Sequence, residues 1–301
     1  MSMPFDTFLI GLYLLVCDWL QADGQRYIRP QGGRPPALSD AEMLTLILAH
    51  HLAYGAWEER RWLRWLHHNG YRAWFPHLLE QSAYNRRARN LSGVLRALRV
   101  RLAQELLVNE APEAVTDSTP VHVRHWRRYG PRHLALPDAE LGYCAAKREY
   151  FYGYRLLALV TLSGIVIDWS LLPATADERD GLDELLAAEE QWTLWGDKGF
   201  IDAARQERLA TEQGIALRTP KRRNQREQPT AAERAELAAK RPIVETTFAQ
   251  AKKYVNLEKP GARTWSGLGL RLAAKMAALM LMAWANTQHG RSPLSYVEFA
   301  W

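Results

Sequence analysis

The sequence predicts an α/β protein in which an all-α region over residues 1–110 precedes a mixed five-stranded sheet with flanking helices over 111–290, with a tail at 291–301. Three observations carry this. Before residue 110 the apolar residues recur at helical spacing, with no strand-like run. From Glu113 onward, short runs rich in Val, Ile and Leu alternate with helical stretches. Two of those runs, 152–162 and 165–172, are joined by Ser163-Gly164, the signature of a hairpin.

The elements follow in order. An apolar opening helix ends at the loop R-P-Q-G-G-R-P-P (29–36), and Ser39 with Glu42 forms a capping box for a helix through His51. A helix over 57–67 interleaves Arg60, Arg61 and Arg64 with Trp62 and Trp65. Y-N-R-R-A-R-N (84–90) then leads into 91–107, with Arg96, Arg99 and Arg101. Basic faces on short helices fit a helix-turn-helix-like DNA reader, and equally an ordinary bundle with arginines in solvent. Strands are expected at 114–121, 152–162, 165–172, 192–195 and 215–219, and helices at 177–190, 201–213, 242–257 and 265–287. Near-continuous apolar strands are those covered on both faces. The order strand, strand, strand, helix, strand, helix, strand, helix is a ribonuclease H-like layout, in which the first and fourth strands are neighbours.

The chain carries 39 Lys and Arg against 33 Asp and Glu, a net charge of +6 and a pI near 9.3. That balance suits a polyanionic partner, or simply a solvated positive surface. Cys17 and Cys144 supply neither a disulfide framework nor a zinc knuckle, as suits a reducing cytoplasm. The apolar runs 8–16 and 276–285 are read as buried helices, so neither a membrane nor a targeting segment is expected.

Three acidic motifs carry the chemistry: V-T-D-S-T-P around Asp117, W-G-D-K-G-F around Asp197 and R-P-I-V-E-T-T-F around Glu245. Asp117 ends the apolar half of the first strand, Asp197 follows the fourth, and Glu245 opens a helix. Hard carboxylate oxygens from two strands and a helix suit two Mg²⁺ ions, with Mn²⁺ as a substitute, for displacement at a phosphodiester. Taken singly each acid is ordinary, a strand-end residue, a turn residue or a surface glutamate. The competing acids are Asp168 within a strand, Asp177 as a helix N-cap and Asp180 beside it. Arg241 and Lys252 flank Glu245, and Lys252 shares its helix face. They suit phosphate positioning, against a plain intrahelical charge pattern. Residues 122–133 interleave Arg124, Arg127 and Arg128 with Trp126, and 218–226 holds Lys221, Arg222 and Arg223. Arginines neutralise phosphates and aromatics stack on unpaired bases.

With G-Y-C-A-A-K-R-E-Y-F-Y-G-Y-R-L (142–156), L-P-A-T-A-D-E-R-D (172–180), G-D-K-G-F (196–200) and R-x3-E-x6-K, these strings make the chain resemble bacterial insertion-sequence transposases of the DDE type. Within them it resembles the group designated nine-eighty-two, in the four-and-five-like assemblage. The resemblance implies Asp117, Asp197 and Glu245 as the metal-binding triad, and Lys198, Arg241 and Lys252 as phosphate-positioning residues. It implies double-stranded DNA as partner, both terminal inverted repeats and target, contacted by Lys147, Arg86 and Arg87 besides the residues above. It further implies a homodimer on DNA, metal-dependent strand cleavage, 3′-OH strand transfer and a nucleoid-associated place in the cytoplasm, with no small-molecule substrate. The signature tyrosine three residues before the arginine is Ala238 here. A ribonuclease H-like DNA nuclease without strand transfer, or a transposase-derived DNA-binding protein without catalysis, are the alternatives.

Overall fold

A computed structural model describes residues 4–28, 36–128, 136–145, 147–186, 190–221 and 230–295. Five helices come first: α1 (Phe5–Ala22), α2 (Asp40–Tyr54), α3 (Glu59–His68), α4 (Gln81–Asn90) and α5 (Ser92–Leu107). The capping box at α2 is formed, with Glu42 N–H donating to Ser39 Oγ and Ser39 N–H to Glu42 Oε2. Residues 43–52 of α2 are all buried, which places that helix at the centre of the bundle. In contrast, α1 buries one stripe, Leu9, Leu12, Val16 and Leu20. It leaves Ile10 and Leu14 about half exposed, so the expectation of a fully buried opening helix is corrected. Among the described residues it packs on one side only.

The sheet has six strands, one more than expected: β1 (Glu113–Arg124), β2 (Glu140–Cys144), β3 (Glu149–Thr161), β4 (Val166–Pro173), β5 (Thr193–Trp195) and β6 (Ala216–Arg218). The added strand is β2, which is short and half exposed, so it carries no apolar run for the sequence to betray. The order is β2-β3-β1-β5-β6, with β4 also paired to β3. β1, β3 and β4 are antiparallel in turn, while β5 and β6 run parallel to β1. The β3–β4 hairpin turns at Gly164, whose φ of +91° only a residue without Cβ adopts at no steric cost.

Five helices follow: α6 (Glu178–Leu185), α7 (Ala203–Gln213), α8 (Ala231–Lys240), α9 (Pro242–Val255) and α10 (Trp265–Gln288). No helix was expected at α8, although Thr230 and Glu233 form a capping box there. Every residue of α8 is at least partly exposed, so the apolar periodicity that would have drawn attention is weak. Arg241 keeps helical angles between α8 and α9, and Pro242 stands at the first position of α9, where its missing N–H costs nothing. α1 and α10 are each long and apolar enough to cross a membrane by length and hydropathy, but α10 is 78% buried inside the protein. It is a core helix.

The two faces of the sheet bury different layers. Ala114, Leu157, Leu159 and Leu194 pack with Leu182 and Leu185 of α6 and Leu209 of α7. Val115, Leu156, Ala158, Val160 and Trp195 face Val244 and Phe248 of α9, and share one continuous core with α10 and the N-terminal helices. The turn at 108–112 that leads into β1 therefore separates two sequence patterns but not two cores. Buried Arg99 of α5 crosses this junction, donating to the Ile167 carbonyl at 2.5 Å and to Asp168 at 3.1 Å. Arg99 was read as part of a basic surface; instead it ties the bundle to β4.

Candidate active site

β1 pairs with β5 only over residues 113–115, with Val115 opposite Trp195. Two residues further along each chain stand Asp117 and Asp197. Both aspartates thus follow the last pair by two residues, and Asp197 is near enough to act electrostatically on Asp117. Side chains alternate along a strand, so Asp117 shares the face of Val115, the face that α9 covers. Among the described residues no strand pairs with that edge of β1 beyond Val115.

Each aspartate is half tied. Ser118 N–H donates to Asp117 Oδ1 at 2.8 Å, and Gly199 N–H donates to Asp197 Oδ1 at 2.7 Å. A Cβ on Gly199 would stand 2.9 Å from Asp197 Oδ1, so the glycine lets the carboxylate fold back onto its own turn. The Oδ2 atoms of both have no hydrogen bond among the described residues. Burial pushes the Asp117 carboxyl up to about 6; Asp197 and Glu178 add to this by repulsion, while Ser118 N–H and then Arg241 oppose it. Negative charge gathered here is therefore undercompensated by the chain. The donors are hard oxygens without a thiol among them, so the site fits a hard divalent cation.

Glu245 does not join them. It is exposed on α9, one turn beyond Arg241, without a hydrogen bond or ion pair among the described residues. The oxygens of Asp117, Asp197 and Glu245 do not all lie within 4.8 Å of one another, so the expected convergence of the triad is incomplete. Arg241 and Lys252 do reach the site electrostatically, and both act on Asp117. Burial lowers the Lys252 ammonium, which Glu258 and Asp117 partly restore.

The sequence did not signal Glu178 at the start of α6. Its Oε1 accepts Ser118 Oγ at 2.7 Å and Arg155 Nη1 at 2.5 Å. It also did not signal the group His122, Glu149 and Glu258, whose ligand atoms lie within 4.8 Å of one another. His122 Nε2 is 3.3 Å from Glu258, and the Lys147 ammonium touches Glu258 and lies 3.8 Å from Glu149. Lys147 therefore supplies this group with a cation from the chain itself. The paired His122 and Lys147 hold the Glu258 carboxyl down at about 2 against its burial.

The other expected contact residues divide by exposure. Lys198 is exposed on the turn after Asp197, and Arg86 is exposed on α4. Arg87 is buried, with its guanidinium 2.5 Å from Asp40 of α2, so it serves helix packing. Arg124 closes β1, and Trp126 is exposed with Arg127 stacked over it at 5.2 Å. Arg128 ends the same short turn. Exposed Tyr150 and Tyr143 continue that aromatic surface. Lys221 lines a cleft of about 940 Å³ beside Trp195, Arg218, Ala238 and Arg241. Arg222 and Arg223 lie outside the described residues. Among the competing acids, Asp168 pairs with Arg99, Asp180 with Arg205, and Asp177 is the N-cap of α6.

The family described as "Transposase DDE domain" matches residues 110–265, just over half of the chain and the stretch that holds β1 to α9. No curated protein and no solved structure matches. The mixed sheet, its flanking helices and the helical region before it are compatible with a ribonuclease H-like transposase domain. The chain belongs to the transposase DDE domain family.

Proposed function

We propose that this protein is the transposase of a bacterial insertion sequence of the nine-eighty-two group, with a ribonuclease H-like catalytic domain. It binds the terminal inverted repeats, cleaves at the element end and joins the freed 3′-OH to target DNA. The observation that carries the reading is that Asp117 and Asp197, each two residues past the Val115–Trp195 pair, lie within the matched domain.

Asp117 and Asp197 would hold Mg²⁺ or Mn²⁺ through their uncommitted Oδ2 atoms, with Glu245 brought in from α9. Two such ions activate water or a 3′-OH and stabilise the attacking and leaving oxygens of the phosphodiester. Arg241 and Lys252 lie close enough to act on Asp117, and so stand ready for the phosphate beside the cleaved bond. Lys198 and Lys221 border the same region, with Arg222 and Arg223 next in the chain. Arg124, Trp126, Arg127 and Arg128 extend DNA contact along the end of β1, and Arg86 does so from the helical region. Two element ends must be held together, which calls for a homodimer on DNA in the bacterial cytoplasm.

The test is a duplex carrying the element's own end, incubated with Mg²⁺, Mn²⁺ or EDTA beside Asp197→Asn. Metal-dependent nicking at the repeat boundary, lost in Asp197→Asn, is expected, followed by joining to a target plasmid. Specific binding without a cut in either metal would refute the catalytic reading; cutting without joining would reduce it to a nuclease.

A further inference from the structure

β2 lies at one edge of the sheet. Edge strands are ordinarily blunted by charge, because open apolar surface there invites unwanted pairing. β2 and the start of β3 instead carry open aromatic rings. Tyr143 and Tyr150 stand opposite each other in the antiparallel ladder, 45% and 51% exposed, with ring centroids 5.1 Å apart. Trp126, 38% exposed, comes from the turn after β1 and lies 6.0 Å from Tyr150. A cross-strand tyrosine pair alone is ordinary sheet packing. A third ring brought in from another element, with all three open to solvent, makes a patch of the kind that marks a binding surface.

The charge around the patch points to its partner. Arg127 lies over the Trp126 ring at 5.2 Å. Arg124 stands opposite Tyr152, two residues from Tyr150, and Arg148 is in the turn between β2 and β3. Among the described residues none of these three arginines has an ion pair, whereas Arg99, Arg155 and Arg205 are each held by a carboxylate. Glu149, the acid beside Tyr150, is answered by Lys147 at 3.8 Å. Uncompensated guanidinium groups around open rings suit a polyanion with flat apolar faces. Duplex DNA offers the phosphates but keeps its base faces stacked inside, while an unpaired strand offers both.

Position narrows this further. Asp117 stands opposite Ala158, and Tyr150 is eight residues away along β3. At ~3.3 Å per residue that is about 26 Å, too far for the base beside the cleaved bond. Resting on the reading that this protein acts on DNA, we propose that Tyr143, Tyr150 and Trp126 form a stacking platform for single-stranded DNA led away from the cut. Arg124, Arg127 and Arg148 neutralise its phosphates.

The experiment is fluorescence anisotropy of the full chain in EDTA at one fixed salt concentration, because phosphate contacts make affinity salt-dependent. The probes are a twenty-nucleotide oligo-dT and a twenty-base-pair duplex of random sequence. Wild type is compared with the double variants Tyr143→Ala/Tyr150→Ala and Tyr143→Phe/Tyr150→Phe, each checked by thermal melting. The alanine variant is expected to bind oligo-dT about tenfold or more weakly, the scale of a base losing its aromatic ring. It should bind the duplex within about twofold of wild type. The phenylalanine variant keeps the rings and should match wild type on both probes. Equal weakening on both probes overturns the proposal, as does unaltered oligo-dT affinity in the alanine variant. Unaltered affinity together with conversion of a dimer to a monomer in sedimentation would make the patch an interface between copies instead. Wild type that binds the duplex but not oligo-dT removes the platform and leaves the DNA reading standing; binding to neither probe removes both. Should the alanine variant fail to fold, Trp126→Ala, in a separate turn, carries the same expectation, and wild-type oligo-dT affinity there refutes the assignment.

Discussion

Asp117→Asn should make the metal-free protein more stable at neutral pH while abolishing its response to metal. The folded protein holds the Asp117 carboxyl at about 6 where an ordinary one titrates at 3.8, mainly through burial. Each tenfold change in proton affinity is worth about 1.4 kcal/mol, so ionising Asp117 in the folded state costs about 3 kcal/mol. The sign follows from linkage: a carboxyl raised on folding favours the folded state below its unfolded value, and that contribution is lost as pH rises through about 6. Asparagine keeps an oxygen for Ser118 N–H and never ionises. The stability difference between Asp117→Asn and wild type should therefore be near zero at pH 4 and grow to about 2–3 kcal/mol above pH 6. For a chain of this size that is roughly 3–5 °C in Tm. Paired thermal melts from pH 4 to 8 with EDTA, repeated with Mn²⁺, read both halves, and Mn²⁺ should raise the wild-type Tm alone. A variant less stable than wild type at pH 7.5, or a difference that does not change with pH, refutes the account of Asp117 as an undercompensated buried charge.

Gly199→Ala places a Cβ 2.9 Å from Asp197 Oδ1 and should weaken Mn²⁺ binding about tenfold with little loss of Tm, by titration and melting. Arg99→Met leaves the Ile167 carbonyl without its buried donor and Asp168 without its partner, and should cost about 2–3 kcal/mol in urea unfolding. Glu258→Gln removes a carboxyl held at about 2, whose contribution is present above about 4.5 and lost as pH falls through about 2. The variant should be less stable than wild type at pH 7, with the gap closing across that acid range in denaturant melts. Ala238→Tyr points into open cleft from an exposed position and should leave the unfolding midpoint within about 0.5 kcal/mol of wild type.

Much of the fold was legible because its signals are local. The Ser39–Glu42 box, the Ser163-Gly164 turn and the apolar runs of β1, β3 and β4 each declare themselves within a few residues, and the structure has them where the pattern puts them. β2 and α8 escaped because neither buries an apolar stripe, and burial is what periodicity reports. The arginines show the reverse failure. Arg87 and Arg99 read as surface charge, and both are buried against an aspartate from a distant element.

The sequence by itself determined that Asp117 lies on the first strand and Asp197 just after the strand 192–195, and parallel pairing of β1 with β5 then brought the two into one region. That follows from the register of short, strongly apolar runs, which a slip of one residue would turn inside out. Only the tertiary structure decided what surrounds the two aspartates. Glu178 lies 61 positions from Asp117 in the chain and meets it through Ser118, while Glu245, named by its motif, stands apart. The physical reason is that a carboxylate's role depends on which charges and donors surround it, and that company is set by how α6 and α9 pack across the sheet, not by residues beside it in sequence.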